Sequence, residues 1–193
     1  MAIKPKHNII CFETEWKYNF EQYKFDLNSE PLLRWLKEYH HCEVIHRQVL
    51  SFEDLLHYLS YFRKREFQKY DIFYFSIHGK THKIAFELGE KEFLELSELA
   101  EFADGLFSNK IIHFSSCSTM ANPSEAECFK TMTGAKLVSG YEISVDPMDS
   151  AIADAAYFNA LMRYKNVSVL KNEKNPFRKQ YASLLNSLKF TIY

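Results

Sequence analysis

One segment constrains the fold more than any other: Asp71 to Ile77, which runs Asp-Ile-Phe-Tyr-Phe-Ser-Ile and stops at His78-Gly79. Its aromatic and β-branched residues favour a β-strand. Because apolar side chains fill it almost without interruption, we expect both faces of that strand to be buried. Strands of this kind are typical of a parallel sheet that is covered by helices on both sides.

The rest of the chain alternates between strand and helix patterns, which predicts an α/β domain. Further strands are predicted at Asn8–Phe12, Cys42–Val49, Lys110–Ser116 and Ala135–Tyr141, a hairpin at Lys83–Leu88 and Glu92–Leu94, and an edge strand at Val167–Leu170. Helices are predicted at Pro31–His40, Ser51–Lys69, after a cap at Ser97, and at Pro123–Thr133, Ser150–Tyr164 and Pro176–Leu188. With 193 residues and about 150 residues per domain, one domain spanning 1–193 is expected.

Charge and composition exclude several classes of function. Lys plus Arg number 24 against 25 Asp plus Glu, a formal net charge of −1, so nucleic-acid binding by bulk positive charge is not expected. The N-terminal apolar run ends at Glu13 and is too short for a membrane span or a signal peptide, which predicts no membrane association and a cytoplasmic protein. The four cysteines form no Cys-x-x-Cys pair, so free thiols are expected.

Ligands of parallel α/β sheets bind in the crevice at the carboxyl ends of the strands. The residues that follow the predicted strands are therefore the first candidates for function. After the first strand these are Glu13 and Glu15, which could orient a group in the crevice, bind a substrate cation, or lie in a solvated loop. The loop from Tyr141 to Asp149 follows a later strand.

His78 and Cys117 each end a hydrophobic strand, and this pair could carry nucleophilic chemistry. A thiol becomes a useful nucleophile when it is accessible and a neighbouring histidine manages its proton. If the two strands are neighbours, about 4.8 Å apart, both side chains project into one crevice. Gly79 lacks a Cβ, so its backbone N–H could approach a substrate carbonyl and form an oxyanion hole with the N–H of Cys117.

The segments that carry these residues, Phe73 to Gly79 and Ile111 to Thr119, resemble the His-Gly and Cys blocks of caspase-like (clan CD) cysteine peptidases, most closely the bacterial CHAT-type branch. The similarity continues into Gly134 to Tyr141 and the helix that follows. The chain also resembles a small bacterial family of stand-alone caspase-fold proteins, which pair a Cys-x-Glu-x-Glu-Trp segment, here Cys11 to Trp16, with the same two blocks. The resemblance covers about residues 8 to 165.

This resemblance implies a caspase-like three-layer α/β/α sandwich and a cysteine endopeptidase that needs no metal or cofactor. Cys117 would attack the peptide carbonyl and His78 would move the proton, while the N–H groups of Gly79 and Cys117 would stabilise the oxyanion. The implied partners are a protein or peptide substrate and an activating partner or a second copy of the chain. Relatives of this fold serve in bacterial defence or stress systems, which makes a regulated role of that kind the expectation.

The sequence departs from two branches of the family in ways that bear on specificity. No Gln-Ala-Cys-x-Gly block surrounds Cys117 and no arginine flanks it, so cleavage after aspartate is not implied. Ser115 stands where the metacaspases carry an acid. Asp146 and Asp149 could line a pocket for a basic side chain, and Ser115 and Tyr141 are further candidates for substrate binding.

Plainer interpretations stand beside these. A cysteine that ends a buried strand is commonly an inert small hydrophobe, and His113, which shares a strand face with the nucleophile, could be a structural histidine. The cluster His40-His41-Cys42 with His46 matches no common zinc spacing. A caspase-fold module that works by binding, without turnover, is the alternative function. A receiver-like or nucleotide-binding domain is disfavoured because no Gly-rich phosphate loop follows any strand.

Overall fold

A computed structural model of the protein describes residues 7–14, 18–19, 24–25 and 29–193. The strands are β1 (Ile9–Glu13), β2 (Tyr18–Asn19), β3 (Lys24–Phe25), β4 (Val44–Gln48), β5 (Ile72–Ser76), β6 (Gly79–Lys80), β7 (Lys83–Ala85), β8 (Phe93–Glu95), β9 (Ile111–Phe114), β10 (Leu137–Tyr141) and β11 (Phe190–Ile192). The α-helices are α1 (Glu30–His40), α2 (Phe52–Phe62), α3 (Leu96–Ala103), α4 (Pro123–Thr133), α5 (Pro147–Leu161), α6 (Pro176–Gln180) and α7 (Ala182–Ser187).

The central sheet of the described chain has the strand order β11-β10-β9-β5-β1-β4. Its strands are parallel, apart from β11, which runs antiparallel to β10. The α/β class with a mostly parallel sheet is thereby confirmed. Strand β5, the segment with the strongest strand pattern, lies between β1 and β9 near the middle of the sheet, and all five of its residues are buried.

The period of two along each strand divides the core into two layers. Phe73 and Phe75 of β5 belong to one apolar cluster, which also contains buried residues of α2, α3 and α4. Tyr74, between them, belongs to the other cluster, together with buried residues of α1 and α5. Helices therefore cover both faces, and the molecule is a three-layer α/β/α sandwich.

Local sequence signals explain where the helices α2 and α5 begin. Ser51 accepts a hydrogen bond from the N–H of Asp54, which completes a capping box at the start of α2. At α5, the side chain of Asp146 accepts from the N–H groups of Met148 and Asp149, and Pro147 occupies the first helical turn. Helix α5 thus begins three residues before the predicted start.

The C-terminal part of the chain differs from the sequence prediction. The predicted edge strand at Val167–Leu170 is wrong, because Val167–Lys171 forms a 3₁₀ helix whose first turn is capped by the Asn166 side chain. The single helix predicted at 176–188 is divided at Tyr181, whose φ of −109° and ψ of 16° interrupt it. The edge of the sheet is formed instead by β11, which the sequence analysis did not predict.

Two other helix predictions needed adjustment. Helix α3 is capped by Glu95, with Glu98 closing a capping box, so Ser97 lies inside the helix. Helix α2 ends at Phe62, and a 3₁₀ turn at Arg65–Phe67 follows it. Within the described ranges, no helix has the length and apolarity that crossing a bilayer requires.

Candidate active site

His78 and Cys117 follow neighbouring parallel strands and line the same cavity. Strand β5 pairs with β9, and the ladder continues past it through the Ser115 N–H, which donates to the Phe75 carbonyl at 2.9 Å. Both side chains border a cavity of about 270 Å³. The structure therefore brings the two residues together at the carboxyl edge of the sheet, where the sequence analysis expected them.

The Cys117 thiol is half-buried and has polar groups around its sulfur atom. The Ser144 hydroxyl donates to Sγ at 3.6 Å, and Sγ lies 3.9 Å from the Val145 carbonyl oxygen. The turn that carries the thiol is fixed to the loop after β10, because the Ser118 N–H donates to the Ile143 carbonyl at 2.9 Å. Ser118 has a left-handed φ of 56°, a backbone strain of the kind that concentrates at functional sites.

The His78 ring contacts a carboxylate. Its Nε2 lies 3.3 Å from Oε1 of Glu87, with 37% and 42% of the two side chains exposed. Its backbone N–H donates to the Thr14 hydroxyl at 3.3 Å, and the Glu87 N–H donates to the Leu50 carbonyl at 3.1 Å. A carboxylate next to one ring nitrogen orients an imidazole.

Gly79 is packed so closely against the cysteine turn that a side chain does not fit. A Cβ at this position would lie 2.5 Å from the Cys117 carbonyl oxygen, 2.6 Å from Ser116 Cβ and 2.4 Å from Thr119 Oγ1. Gly79 pairs with Ile84 in the β6–β7 ladder, and the bond beside that pair runs from the Ala85 N–H to the His78 carbonyl. In an antiparallel ladder this makes Gly79 a non-hydrogen-bonded position, so its N–H points away from β7.

The cavity beside Cys117 lies between the sheet and two helices. Strand β5 contributes Tyr74 and Ser76, and the residues after β9 contribute Ser115. Ser29 and Leu32 border it at the start of α1. Helix α5 forms the remaining wall with one face, because Pro147, Ser150, Ala151 and Asp154 are spaced three, four and seven residues apart.

A buried carboxylate, Asp154, lies at the wall of this cavity and is held by hydrogen bonds. Its Oδ1 accepts from His113 Nε2 at 2.8 Å and from the Tyr141 hydroxyl, and its Oδ2 accepts from the Tyr74 hydroxyl at 3.0 Å. Burial alone raises the pKa of Asp154, but the His113 imidazole and hydrogen bonds from Ser115 and Tyr141 outweigh burial and lower it. Asp154 is therefore ionised, with His113 as its partner.

Two residues proposed for substrate contact have structural roles instead. Tyr141 is fully buried, and its hydroxyl donates to Asp154 beneath the cavity. Glu13 is the last residue of β1 and is also fully buried. Its Oε2 accepts from His46 Nε2 at 2.7 Å and its Oε1 accepts from the Ser29 N–H at 2.8 Å, so Glu13 holds the start of α1.

The other candidates for substrate contact have separate outcomes. Ser115 lines the cavity as expected of a substrate contact. Asp146 and Asp149 are exposed at the start of α5 and do not belong to the described lining, because Asp146 serves as the helix cap. Their proposed role in a pocket for a basic side chain stays a prediction. Glu15 lies outside the described residues.

The remaining thiols differ from Cys117 in accessibility. Burial raises the pKa of Cys11 well above its ordinary value and raises that of Cys42 to about 11. Cys128 is exposed on α4, not in the core as predicted, and its sulfur lies 3.7 Å from that of Met132. All four cysteines are free. Two accessible thiols therefore compete for an alkylating reagent.

The histidine cluster near the end of α1 has other partners. His40 Nε2 lies 3.1 Å from the Asn159 side-chain oxygen, and His46 donates to Glu13. Across the described ranges, no group of three or more His, Cys, Asp or Glu side chains is arranged to hold a metal ion. His113 is fully buried and bonded to Asp154, so it is the structural histidine of the two alternatives.

The sequence analysis missed Glu87, Ser144 and Asp154. Asp154 carried a detectable signal, because its spacing from Ser150 and Ala151 places all three on one helical face directed at the strand ends. Glu87 carried none. Its approach to His78 depends on how the β6–β7 hairpin folds back over the strand ends, which no local pattern records.

Comparisons with known proteins give a family match and distant structural similarity. A model described as "Family of unknown function (DUF6642)" matches residues 6–193. A search of curated proteins found no match. Among solved structures, a protein from Clostridium acetobutylicum assigned as a cystathionine beta-lyase involved in aluminum resistance is similar over 72% of this chain, with 15% identity and a TM-score of 0.38.

A second structure, the C-terminal domain of the coenzyme A biosynthesis bifunctional protein CoaBC, is similar over 70% of this chain and 77% of its own, with 13% identity and a TM-score of 0.36. The chain spans 31% of the length of the Clostridium protein. At these scores neither structure carries an argument about activity. The function has to be inferred from the site.

Proposed function

We propose that this chain, which belongs to the family of unknown function DUF6642, is a cysteine endopeptidase of caspase-like type in which Cys117 is the nucleophile and His78 the general acid and base. One observation carries the proposal: a histidine and a cysteine that follow adjacent parallel strands line one cavity, and the glycine next to the histidine packs against the cysteine turn. Acyl transfer needs a nucleophile, a base and an oxyanion site within a few ångströms of each other.

The proposed reaction proceeds in two steps. The Cys117 sulfur forms a bond to the carbonyl carbon of the substrate while His78 takes the thiol proton and gives it to the departing amine. Water, deprotonated by the same histidine, then adds to the thioester carbonyl. The C–S bond breaks, the new carboxylate leaves, and the histidine returns its proton to the Cys117 sulfur. Throughout, the N–H groups of Gly79 and Cys117 would donate to the oxyanion, an interaction worth about 3 to 4 kcal/mol in a serine protease.

Two contacts of the site support these roles. The Ser144 hydroxyl donates to the Cys117 sulfur, which helps to hold the nucleophile in place. Glu87 contacts the Nε2 edge of His78, which would hold the ring in one orientation. The close packing of Gly79 on the cysteine turn would fix the distance between the two halves of the site.

The substrate would be a protein or a peptide, and the four free thiols fit a reducing compartment such as the cytoplasm. The resemblance to caspase-like proteins supports a regulated role in bacterial defence or stress, with an activating partner or a second copy of the chain.

The test uses a Cys128→Ser background, which removes the competing exposed thiol. We would measure cleavage of a diverse peptide library by mass spectrometry, together with the rate of single alkylation by iodoacetamide, for this background and for Cys117→Ala and His78→Ala within it. The expected result is cleavage that Cys117→Ala abolishes and alkylation that His78→Ala slows at least about tenfold, the scale of general-base assistance.

The opposite result would favour a binding module over an enzyme. If no peptide is cleaved and Cys117 reacts no faster than an unactivated thiol, the peptidase proposal is wrong. In that case the alternative, a caspase-fold module that acts by binding, becomes the better description of the chain.

A further inference from the structure

The size and lining of the cavity beside Cys117 indicate which substrate side chains it can bind. It extends from the nucleophile between the sheet and the helices α1 and α5. Its volume of about 270 Å³ equals that of roughly nine water molecules at about 30 Å³ each, which is sufficient for one medium-sized side chain. A substrate whose carbonyl lies at Cys117 would direct the side chain of that same residue toward this cavity.

We propose that this cavity binds the side chain of the residue that precedes the scissile bond, and that it selects an uncharged, mainly apolar side chain such as leucine or methionine. The inference rests on the proposed peptidase function. It follows from the charges, the hydroxyl groups and the apolar groups of the lining.

The only carboxylate in the described lining is already satisfied. Asp154 is 1% exposed, and three hydrogen bonds to its two oxygens come from His113, Tyr141 and Tyr74. A lysine or arginine entering the cavity would have to compete with these buried donors and lose its own hydration. Cationic side chains are therefore disfavoured.

Acidic side chains are disfavoured for a different reason. No lysine or arginine belongs to the described lining, and its histidine, His78, already contacts the Glu87 carboxylate. An aspartate or glutamate would therefore be buried near Asp154 without a cation of its own. An unpaired buried charge next to a like charge is strongly unfavourable.

The remaining surface suits an aliphatic side chain. Leu32, Val145 and Ala151 provide apolar contacts along opposite sides of the cavity. Hydroxyl groups of Ser29, Ser76 and Ser150 can bind water or a polarisable atom such as the methionine sulfur. A pocket of this composition discriminates by about tenfold or more for each methylene that it accommodates.

The test is a panel of peptidyl acyloxymethyl ketones that share one peptide and differ only in the residue next to the ketone: leucine, methionine, alanine, arginine, lysine or aspartate. Labelling rates at Cys117 would be measured by intact mass in the Cys128→Ser background. The leucine and methionine probes are expected to label at least about tenfold faster than the alanine probe, and the charged probes at least about tenfold slower than the leucine probe.

A pair of substitutions on α5 provides a second measurement. Ala151 lines the cavity and is exposed at its rim, so Ala151→Phe should close it with little effect on folding. The expected result is a loss of the preference for leucine over alanine. The matched control is Ile152→Phe, the next residue on the same helix, which is 48% exposed and outside the lining; it should keep the wild-type preference.

The outcomes distinguish the two proposals. Fastest labelling by the arginine, lysine or aspartate probe would leave the peptidase intact and overturn the apolar subsite. The subsite is also overturned if no ketone labels Cys117, or if Ala151→Phe leaves the preference unchanged. The peptidase itself is judged by the Cys117-dependent cleavage of the peptide library.

Discussion

Replacing Gly79 by alanine tests whether the contact between the histidine strand and the cysteine turn holds the site together. The added Cβ would lie 2.5 Å from the Cys117 carbonyl oxygen and 2.6 Å from Ser116 Cβ. An ordinary contact begins at 3.4 Å, so the two segments must separate by about 0.9 Å. Both obstructing atoms are fixed to the backbone, and neither can move aside as the end of a flexible side chain could.

This separation should lower both the unfolding free energy and the rate of labelling at Cys117. Overpacking of this kind costs about 1 to 3 kcal/mol of unfolding free energy, which for a chain of this length lowers the melting temperature by about 2 to 12 °C. A misplacement near 1 Å costs about 100-fold in the rate of a positioned reaction. Gly79→Ala is therefore expected to remain folded while its rate of ketone labelling at Cys117 falls about 100-fold.

The assay needs a control that separates lost stability from lost alignment. Gly105 has a left-handed φ of 78°, and a Cβ added there would have no other atom within 4 Å. Gly105→Ala therefore introduces backbone strain of about 1 to 2 kcal/mol without a steric clash. It should lower the melting temperature comparably and leave labelling unchanged. Wild-type labelling in Gly79→Ala, or equal slowing in both variants, would refute the alignment argument.

Three further changes test other parts of the structure. His113→Ala leaves the buried Asp154 carboxylate without its partner and should cost about 3 to 5 kcal/mol, a fall of about 6 to 20 °C in melting temperature. The lowered pKa of Asp154 means that this carboxylate stabilises the fold above about pH 3.8, its ordinary value, and that its contribution is lost as the pH falls further. Burial opposes protonation of His7, but Asp71 and a backbone carbonyl outweigh burial and raise its pKa above 6.5. Wild type should therefore be more stable than His7→Gln by the largest margin below pH 6.5. That margin should shrink as the pH rises through the raised pKa of His7. Glu87→Ala should slow labelling about twofold to fivefold, the scale of an exposed ion pair, whereas Glu87→Asp should restore part of the rate.

Each of these three predictions has a result that would contradict it. A melting temperature of His113→Ala within about 2 °C of wild type would mean that the buried network is not a stabilising unit. A difference for His7→Gln that grows with pH would reverse the sign of the linkage. An unchanged labelling rate in Glu87→Ala would show that the carboxylate does not position the site histidine.

Much of the architecture was predictable because it depends on local periodicity. The continuous apolar run of β5 identified a strand that is buried on both faces, and the alternation of strands with helices identified the parallel sheet. The ends of those strands then indicated His78 and Cys117, because parallel strands present their carboxyl ends at one edge. The C-terminal edge of the sheet was not predictable in the same way. Strand β11 has only three residues, too few for a periodic pattern, and it is extended because it pairs with β10.

The sequence by itself determined where the central strands lie to within two residues at each end, since strand formation follows from neighbouring side chains. Only the tertiary structure decided what surrounds them. Glu13 and Tyr141 have the chemistry of ligand-binding groups, yet the sheet register and the helix α5 bury both in hydrogen-bonded pairs. Asp154 lines the same cavity as Cys117 although it lies 37 residues further along the chain. Glu87 contacts His78 from nine residues away. Such contacts form because distant segments pack together, and no period along the chain encodes them.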